Sequence, residues 1–337
     1  MREILKELPA YASDFSRGIE HTCSANTRLA YIYDTRIFFE YIYKEIPELS
    51  ALNTLKDITL AHLAEVTPKD IEKYLEHLTY YEKDQNLNHT IAYQNGQNGK
   101  ARKLASLKTF YNYFYRQQLI TKNPTSFVDM PRIYEKPIIK LEIDEVANLL
   151  DIVEHGDKLT DKQKVYHKYT QKRDLALFAL LLGTGMRVSE CVGINVEDID
   201  FNYNGIKITR KGGNSTIIYF SEEVEKILRE YLEEREKAIC TDLDNPLFLS
   251  MQNKRLSVRS VQILVKKYTT LLTNLKKITP HKLRTTYGTQ LYQETGDIYL
   301  VADVLGHKDV NTTRKHYAKM DDQRKQMAAS VVKLRES

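Results

Sequence analysis

The chain has 337 residues, 42% of them hydrophobic, which is enough to bury a substantial core and by size divides into about two domains. Its net charge of +5 is unevenly laid: residues 1–130 carry 16 Lys/Arg against 16 Asp/Glu, residues 131–250 carry 17 against 22, and residues 251–337 carry 17 against 7. The overall near-balance excludes a histone-like polycation that binds without regard to sequence, while the basic last segment points to a polyanionic partner. Cys23, Cys191 and Cys240 lack the paired spacing of a zinc site or a secreted disulfide framework and fit a reducing compartment. The opening MREILKELPAYASDF is charged throughout, unlike a signal peptide, and the longest apolar run, Leu175 to Leu182, is too short to span a bilayer. A cytoplasmic protein with no membrane association is the expectation.

Helical periodicity dominates the first 120 residues, at Thr27 to Tyr43, Pro68 to Leu78 and Lys100 to Leu119. Thr67-Pro68-Lys69-Asp70 is a helix start, with Thr67 as cap and Pro68 in the first turn. Gln94 to Gly99 has turn chemistry and reads as a loop. In the third helix, Leu104, Leu107, Tyr111 and Phe114 make an apolar face. Arg102, Ser106, Thr109, Tyr113 and Arg116 make an opposite polar face with the composition of a DNA reader, although any amphipathic surface helix can carry such residues. Three prolines between Asn123 and Pro137 disfavour helix before each one. The expected organisation is therefore a helical core DNA-binding domain over residues 1–122, a linker over 123–139 and a second domain over 140–337.

In the second domain Leu141 to Val153 and Thr170 to Leu182 read as helices, the latter apolar enough to be buried. Three short β-prone runs follow, Ile199 to Phe201, Ile206 to Thr209 and Thr216 to Phe220, separated by Asn204-Gly205 and by Lys211-Gly212-Gly213-Asn214. These hairpin signals predict a small three-stranded antiparallel sheet in a mainly α chain. Helical patterns resume at Ser221 to Ala238, Ser257 to Leu275, His281 to Glu294, Ile298 to Leu305 and Met320 to Leu334.

Four local motifs bear chemistry. In Gly183-Thr184-Gly185-Met186-Arg187-Val188-Ser189-Glu190 a buried helix ends at a glycine turn that delivers an arginine, with Glu190 three residues on to orient its planar fork toward a phosphate. Arg210-Lys211-Gly212-Gly213-Asn214 puts a lysine in a hairpin turn, from which it can reach a phosphodiester and donate a proton. Pro280-His281-Lys282-Leu283-Arg284 places an imidazole and a guanidinium three apart at a helix start, itself an anion site. Leu305-Gly306-His307, followed by Thr312-Thr313 and His316-Tyr317, joins a second histidine to a tyrosine ten residues later. Each motif alone has an ordinary reading as a cap, a surface ion pair or a solvated turn. Together they give Arg, Lys, His-x-x-Arg, His and Tyr in order.

This ordered set resembles the tyrosine recombinases of the phage integrase family, and within it the bacterial Xer recombinases of the single-recombinase Gram-positive type. The likeness is carried by GTGMRVSE, TRKGGN and the long block TPHKLRTTYGTQLYQETGDIYLVADVLGHKDVNTT, and extends over roughly residues 20–335. It implies an all-α SAM-like core-binding domain, an α-rich catalytic domain with the small sheet, and a catalytic set on Arg187, Lys211, His281, Arg284, His307 and Tyr317. The spacing from His307 to Tyr317 is one residue longer than the usual family pattern, so the turn around Tyr317 is expected to differ.

Such a set supplies what phosphodiester cleavage needs without a metal or other cofactor: a nucleophile, a clamp for developing charge and an acid for the leaving alkoxide. The expected partner is double-stranded DNA bearing a short palindromic site. The expected assembly is a homotetramer at synapsis from monomers or dimers, with the Met320 to Leu334 stripe docking on a neighbouring protomer, or else packing on its own domain. Dimer resolution of chromosomes or plasmids is the expected role, with integration or excision of a mobile element as the alternative. A metal nuclease would need converging carboxylates, which the scattered acids do not supply. A DNA-binding protein without catalysis would not need the whole series, and a type IB topoisomerase would share the chemistry but not the two-domain likeness.

Overall fold

The computed structural model describes residues 1–86, 89–134, 137–210, 213–238, 244–307 and 309–311. The chain forms two compact units, Met1–Lys136 and Pro137–Ser337.

The first unit holds helices α1 (Arg2–Leu5), α2 (Tyr11–Gly18), α3 (Ala25–Glu45), α4 (Pro47–Ser50), α5 (Leu60–Glu65), α6 (Pro68–His77) and α7 (Gln97–Arg116). Starts are capped where the side chains allow it. Ser24, Thr59 and Thr67 each accept a backbone N–H from the first turn that would otherwise lack a partner, and Asp70 returns the bond to Thr67. The core is aromatic: Phe15, Phe38, Phe39, Tyr74, Phe110, Tyr111 and Phe114 are fully buried, with rings meeting edge to face at 5.0–6.3 Å. Residues 80–94 hold an antiparallel pair absent from the helical reading, β1 (Tyr80–Asn86) with β2 (His89–Gln94), and α7 begins inside the stretch read as a loop, with Gly96 as its cap. The proline stretch also begins inside this unit. Asn123 caps a short 3₁₀ turn at Pro124–Phe127, and Val128 packs into the core while its carbonyl accepts from Lys108 Nζ at 2.8 Å.

The second unit holds α8 (Ile143–His155), α9 (Asp161–Thr184), α10 (Val188–Gly193), α11 (Glu222–Arg235), α12 (Val258–Leu272), α13 (Pro280–Thr295) and α14 (Ile298–Leu305). Strands β3 (Ile199–Asp200), β4 (Gly205–Thr209) and β5 (Ser215–Tyr219) form an antiparallel sheet in the order β3-β4-β5. The latter half of α9 is apolar on every side because α8, α11 and α13 surround it, and Leu177, Phe178 and Leu180 have no exposed surface. Its fully buried Asp174 accepts from Arg173 Nη2 at 2.6 Å and from the Tyr268 hydroxyl at 2.9 Å, which fastens α9 to α12. Desolvation and that carboxylate together hold the Tyr268 phenol well above its usual pKa. Alternation on the sheet puts Ile206, Ile208 and Ile218 into the same core.

Candidate active site

The glycine turn behaves as its sequence requires. Gly185 ends α9 with φ +62°, where a Cβ would strike the Tyr287 ring of α13. Arg187 follows as the cap of α10, and Glu190, buried in the first turn, answers twice: Oε2 accepts the Arg187 backbone N–H at 2.7 Å and Oε1 accepts Nη1 at 2.9 Å. The guanidinium is thus fixed at one edge while its side chain stays 37% exposed. From the other edge Nη2 donates to the Gly306 carbonyl at 3.2 Å.

Arg284 reaches the same place from α13. It is 5% exposed, donates from Nη1 to the Gly185 carbonyl at 2.7 Å, and bonds through Nη2 to the Leu305 carbonyl. His281, one turn earlier, is exposed beside the Thr279 cap, with Pro280 in the first turn. The two residues of that motif therefore divide, the arginine inward and the histidine outward.

His307 follows the end of α14. Gly306 takes φ +61°, its N–H bonding to the Asp303 carbonyl at 2.8 Å and that of His307 to the Ala302 carbonyl at 2.9 Å, so the chain turns and leaves His307 half-buried. Arg187, Arg284 and His307 are accordingly brought to one locus at the C-terminus of α14. Lys211 and Tyr317 lie outside the described residues, as does the stripe from Met320 to Leu334. Sequence reasoning passed over Arg210, whose Nη2 donates to the Val304 carbonyl at 3.1 Å. Its position beside Lys211 in the turn was the available signal.

The polar face read on α7 is corrected in part. Ser106 has no exposed surface and its hydroxyl donates to the Tyr31 carbonyl at 3.4 Å, while the half-buried Tyr113 lies over Gly18 and against the Phe15 ring. The reason is geometric: Phe110 and Lys103 are also buried, so the packed arc of α7 is wider than a four-residue apolar stripe and reaches both residues. Arg116 is exposed, Thr109 bonds back to the Ala105 carbonyl at 2.9 Å, and Arg102 is held by Asp34, with Nη2 to Oδ1 at 2.7 Å. Lys103, buried, donates to the same carboxylate at 3.2 Å.

Among the described residues, one trio places a carboxylate or imidazole within reach of a common ion, Asp151, Glu154 and His155 on α8, and all three are exposed. No helix among the described residues is long and apolar enough to cross a membrane.

Residues 140–324, more than half of the chain, match the model of the phage integrase family. The chain belongs to the phage integrase family. Among curated members it is 34% identical over 308 residues to a tyrosine recombinase XerC of Caldanaerobacter subterraneus, covering 89% of this chain and 79% of that protein. A tyrosine recombinase XerD of Staphylococcus epidermidis is 28% identical over 299 residues, covering 88% of each. Two solved structures share the fold. The XerH recombinase in a post-cleavage complex with palindromic difH aligns over 98% of this chain and 87% of its own, at a TM-score of 0.65 and 21% identity. The Tn1549 transposon integrase with circular intermediate DNA aligns over 94% and 98%, at 0.65 and 22%. As a tyrosine recombinase of the phage integrase family, the protein cleaves and rejoins DNA.

Proposed function

We propose that this recombinase works through a 3′-phosphotyrosyl intermediate on Tyr317, with Arg187, Lys211, His281, Arg284 and His307 as its catalytic partners. The observation that carries the reading is the meeting of Arg187 and Arg284, from α10 and α13, on the Gly306 and Leu305 carbonyls beside His307. Two guanidiniums held in place by a carboxylate and by backbone carbonyls form a preorganised cation pair for the non-bridging oxygens of a phosphate. His307 adds a donor from the adjoining turn.

The phenolic oxygen of Tyr317 attacks phosphorus, a Tyr–O–P bond forms and the P–O5′ bond breaks. A phenol with an ordinary pKa of about 10 needs help to lose its proton near neutrality, and His281 assists that transfer. Lys211 gives its proton to the departing 5′-oxygen. Because the phosphotyrosyl link keeps the energy of the broken bond, a 5′-hydroxyl from a partner strand reverses the step on a new pairing without ATP.

The first unit contributes DNA contacts through Arg102, Thr109 and Arg116 of α7, Arg102 as a cation held in place by Asp34. Exchange between two duplexes requires four protomers on paired palindromic sites, assembled from monomers or dimers. Xer-named relatives spanning most of the chain favour dimer resolution as the role. The test is a nicked suicide substrate in EDTA: wild type accumulates a covalent protein–DNA adduct, and Tyr317→Phe binds the site with unchanged affinity but forms none. Adduct from the Phe variant moves the nucleophile elsewhere.

A further inference from the structure

Arg210 takes no part in the catalytic set, yet its side chain reaches out of the hairpin to α14. Its backbone closes the β4–β5 turn, the N–H donating to the Asn214 carbonyl at 2.8 Å and the carbonyl accepting from Gly213 at 3.0 Å. Its guanidinium leaves the sheet and crosses to α14, where Nη1 donates to the Asp303 carbonyl at 3.4 Å and Nη2 to the Val304 carbonyl at 3.1 Å. Gly306 makes room for it: a Cβ there would fall within the guanidinium.

With Arg284 on Leu305 and Arg187 on Gly306, three guanidiniums from three elements thus cover four consecutive carbonyls at the end of α14. Apart from Asp303, whose carbonyl also accepts from the Gly306 N–H at 2.8 Å, these carbonyls lie past the last helical donors, and all four sit at the negative end of the helix dipole, where a cation is favoured. The three arginines are not equivalent, however. Arg187 and Arg284 reach the end of α14 from the α10 cap and from α13, whereas among the described residues Arg210 makes the hydrogen bonds from this hairpin to α14. Its Nε is buried with no hydrogen-bond partner among the described residues, a desolvation cost that the contacts of its two terminal nitrogens offset.

We infer that Arg210 is a positioning residue that ties the end of β4 to the end of α14 and, as the chain neighbour of Lys211, supports proton delivery by that lysine. This rests on the acid role proposed for Lys211. Removing Arg210 leaves the bonds of Arg187 and Arg284 in place and releases the end of β4 from α14, so proton delivery suffers while phosphate binding does not.

The experiment measures single-turnover cleavage by the full chain on two suicide substrates, one with an ordinary phosphodiester and one with a 5′-bridging sulfur, whose thiolate leaves without an acid. Arg210→Ala should slow the ordinary substrate about 10²-fold, the scale of a small misplacement of a reacting group, and the sulfur substrate by less than about 10-fold. Arg210→Lys, which keeps one charged donor without the fork, should recover part of the ordinary rate. Half-site affinity should be unchanged in both variants. Equal loss on the two substrates, or no loss on either, overturns the inference. If the alanine variant does not fold, as read by melting, the same two rates for Arg210→Lys and Arg210→Gln decide. Lys211→Ala run in parallel separates the two levels. If sulfur rescues Lys211→Ala but not Arg210→Ala, the positioning role alone falls; if it rescues neither, the acid role falls as well.

Discussion

Glu190→Gln tests whether the Arg187 guanidinium is held by its buried neighbour or merely lies beside it. The replacement keeps the shape of the side chain, which is 4% exposed, but an amide offers one acceptor oxygen where the carboxylate offers two. Either the 2.7 Å bond from the Arg187 backbone or the 2.9 Å bond from Nη1 must then face an NH₂ group. A hydrogen bond to a charged group contributes about 1.5–3 kcal/mol. Because the Arg187 side chain is 37% exposed and water can take up part of the lost contact, the lower end applies, about 1.5 kcal/mol. In a unit of about 200 residues that lowers the melting midpoint by roughly 3–6 °C.

Arg187 keeps its charge and its bond to Gly306 in this variant but loses its anchorage. If the same energy is missing in the transition state, cleavage slows about 10-fold, since each 1.36 kcal/mol is a factor of ten. Half-site affinity should not fall, because the substitution removes a negative charge from a DNA-binding protein. The assay is adduct formation on a suicide substrate at saturating protein, beside a thermal melt and a gel-shift titration. A variant that melts lower yet cleaves at the wild-type rate would show that Glu190 serves the fold alone and refute the anchoring argument.

Asp34→Ala leaves Lys103, 7% exposed, without its carboxylate, and should cost about 3–5 kcal/mol in urea unfolding of the full chain. Adding Lys103→Met to that variant should return part of the loss, and no recovery would mean that the charge is not what matters. Burial raises the Cys191 thiol pKa far above its usual range, keeping the thiolate scarce, so Cys191 should resist iodoacetamide in the native protein up to about pH 9 while unfolding exposes it, as peptide mass mapping reads. Rapid native labelling of Cys191 would contradict its placement. Deleting residues 321–337 should leave half-site binding intact but abolish cooperative occupancy of the full site and recombination. Unchanged cooperativity in a folded truncation removes the docking role of that segment.

Local chemistry was sufficient wherever one rule dominates. Asn204-Gly205 predicts the strand pair that forms around it, the glycine turn at Gly183 to Gly185 the end of α9, and the apolar pattern from Ile298 to Leu305 the extent of α14, because glycine turns and short-range periodicity are written within a few residues. The β1–β2 hairpin escaped because polar residues around Asn86 give little apolar alternation. The reading of Ser106 and Tyr113 as wet failed for a related reason. Periodicity gives the direction of an apolar face but not its width, which α2 and α3 decide by packing against α7. The ordered series of Arg, Lys, His, Arg, His and Tyr was legible from the motifs, but no single motif says where its side chains go. Arg187, Arg210 and Arg284 meet on the last carbonyls of α14 only because α9, the sheet and α13 bring three remote stretches of chain to one helix end, whose unpaired carbonyls and dipole then give guanidiniums something to hold.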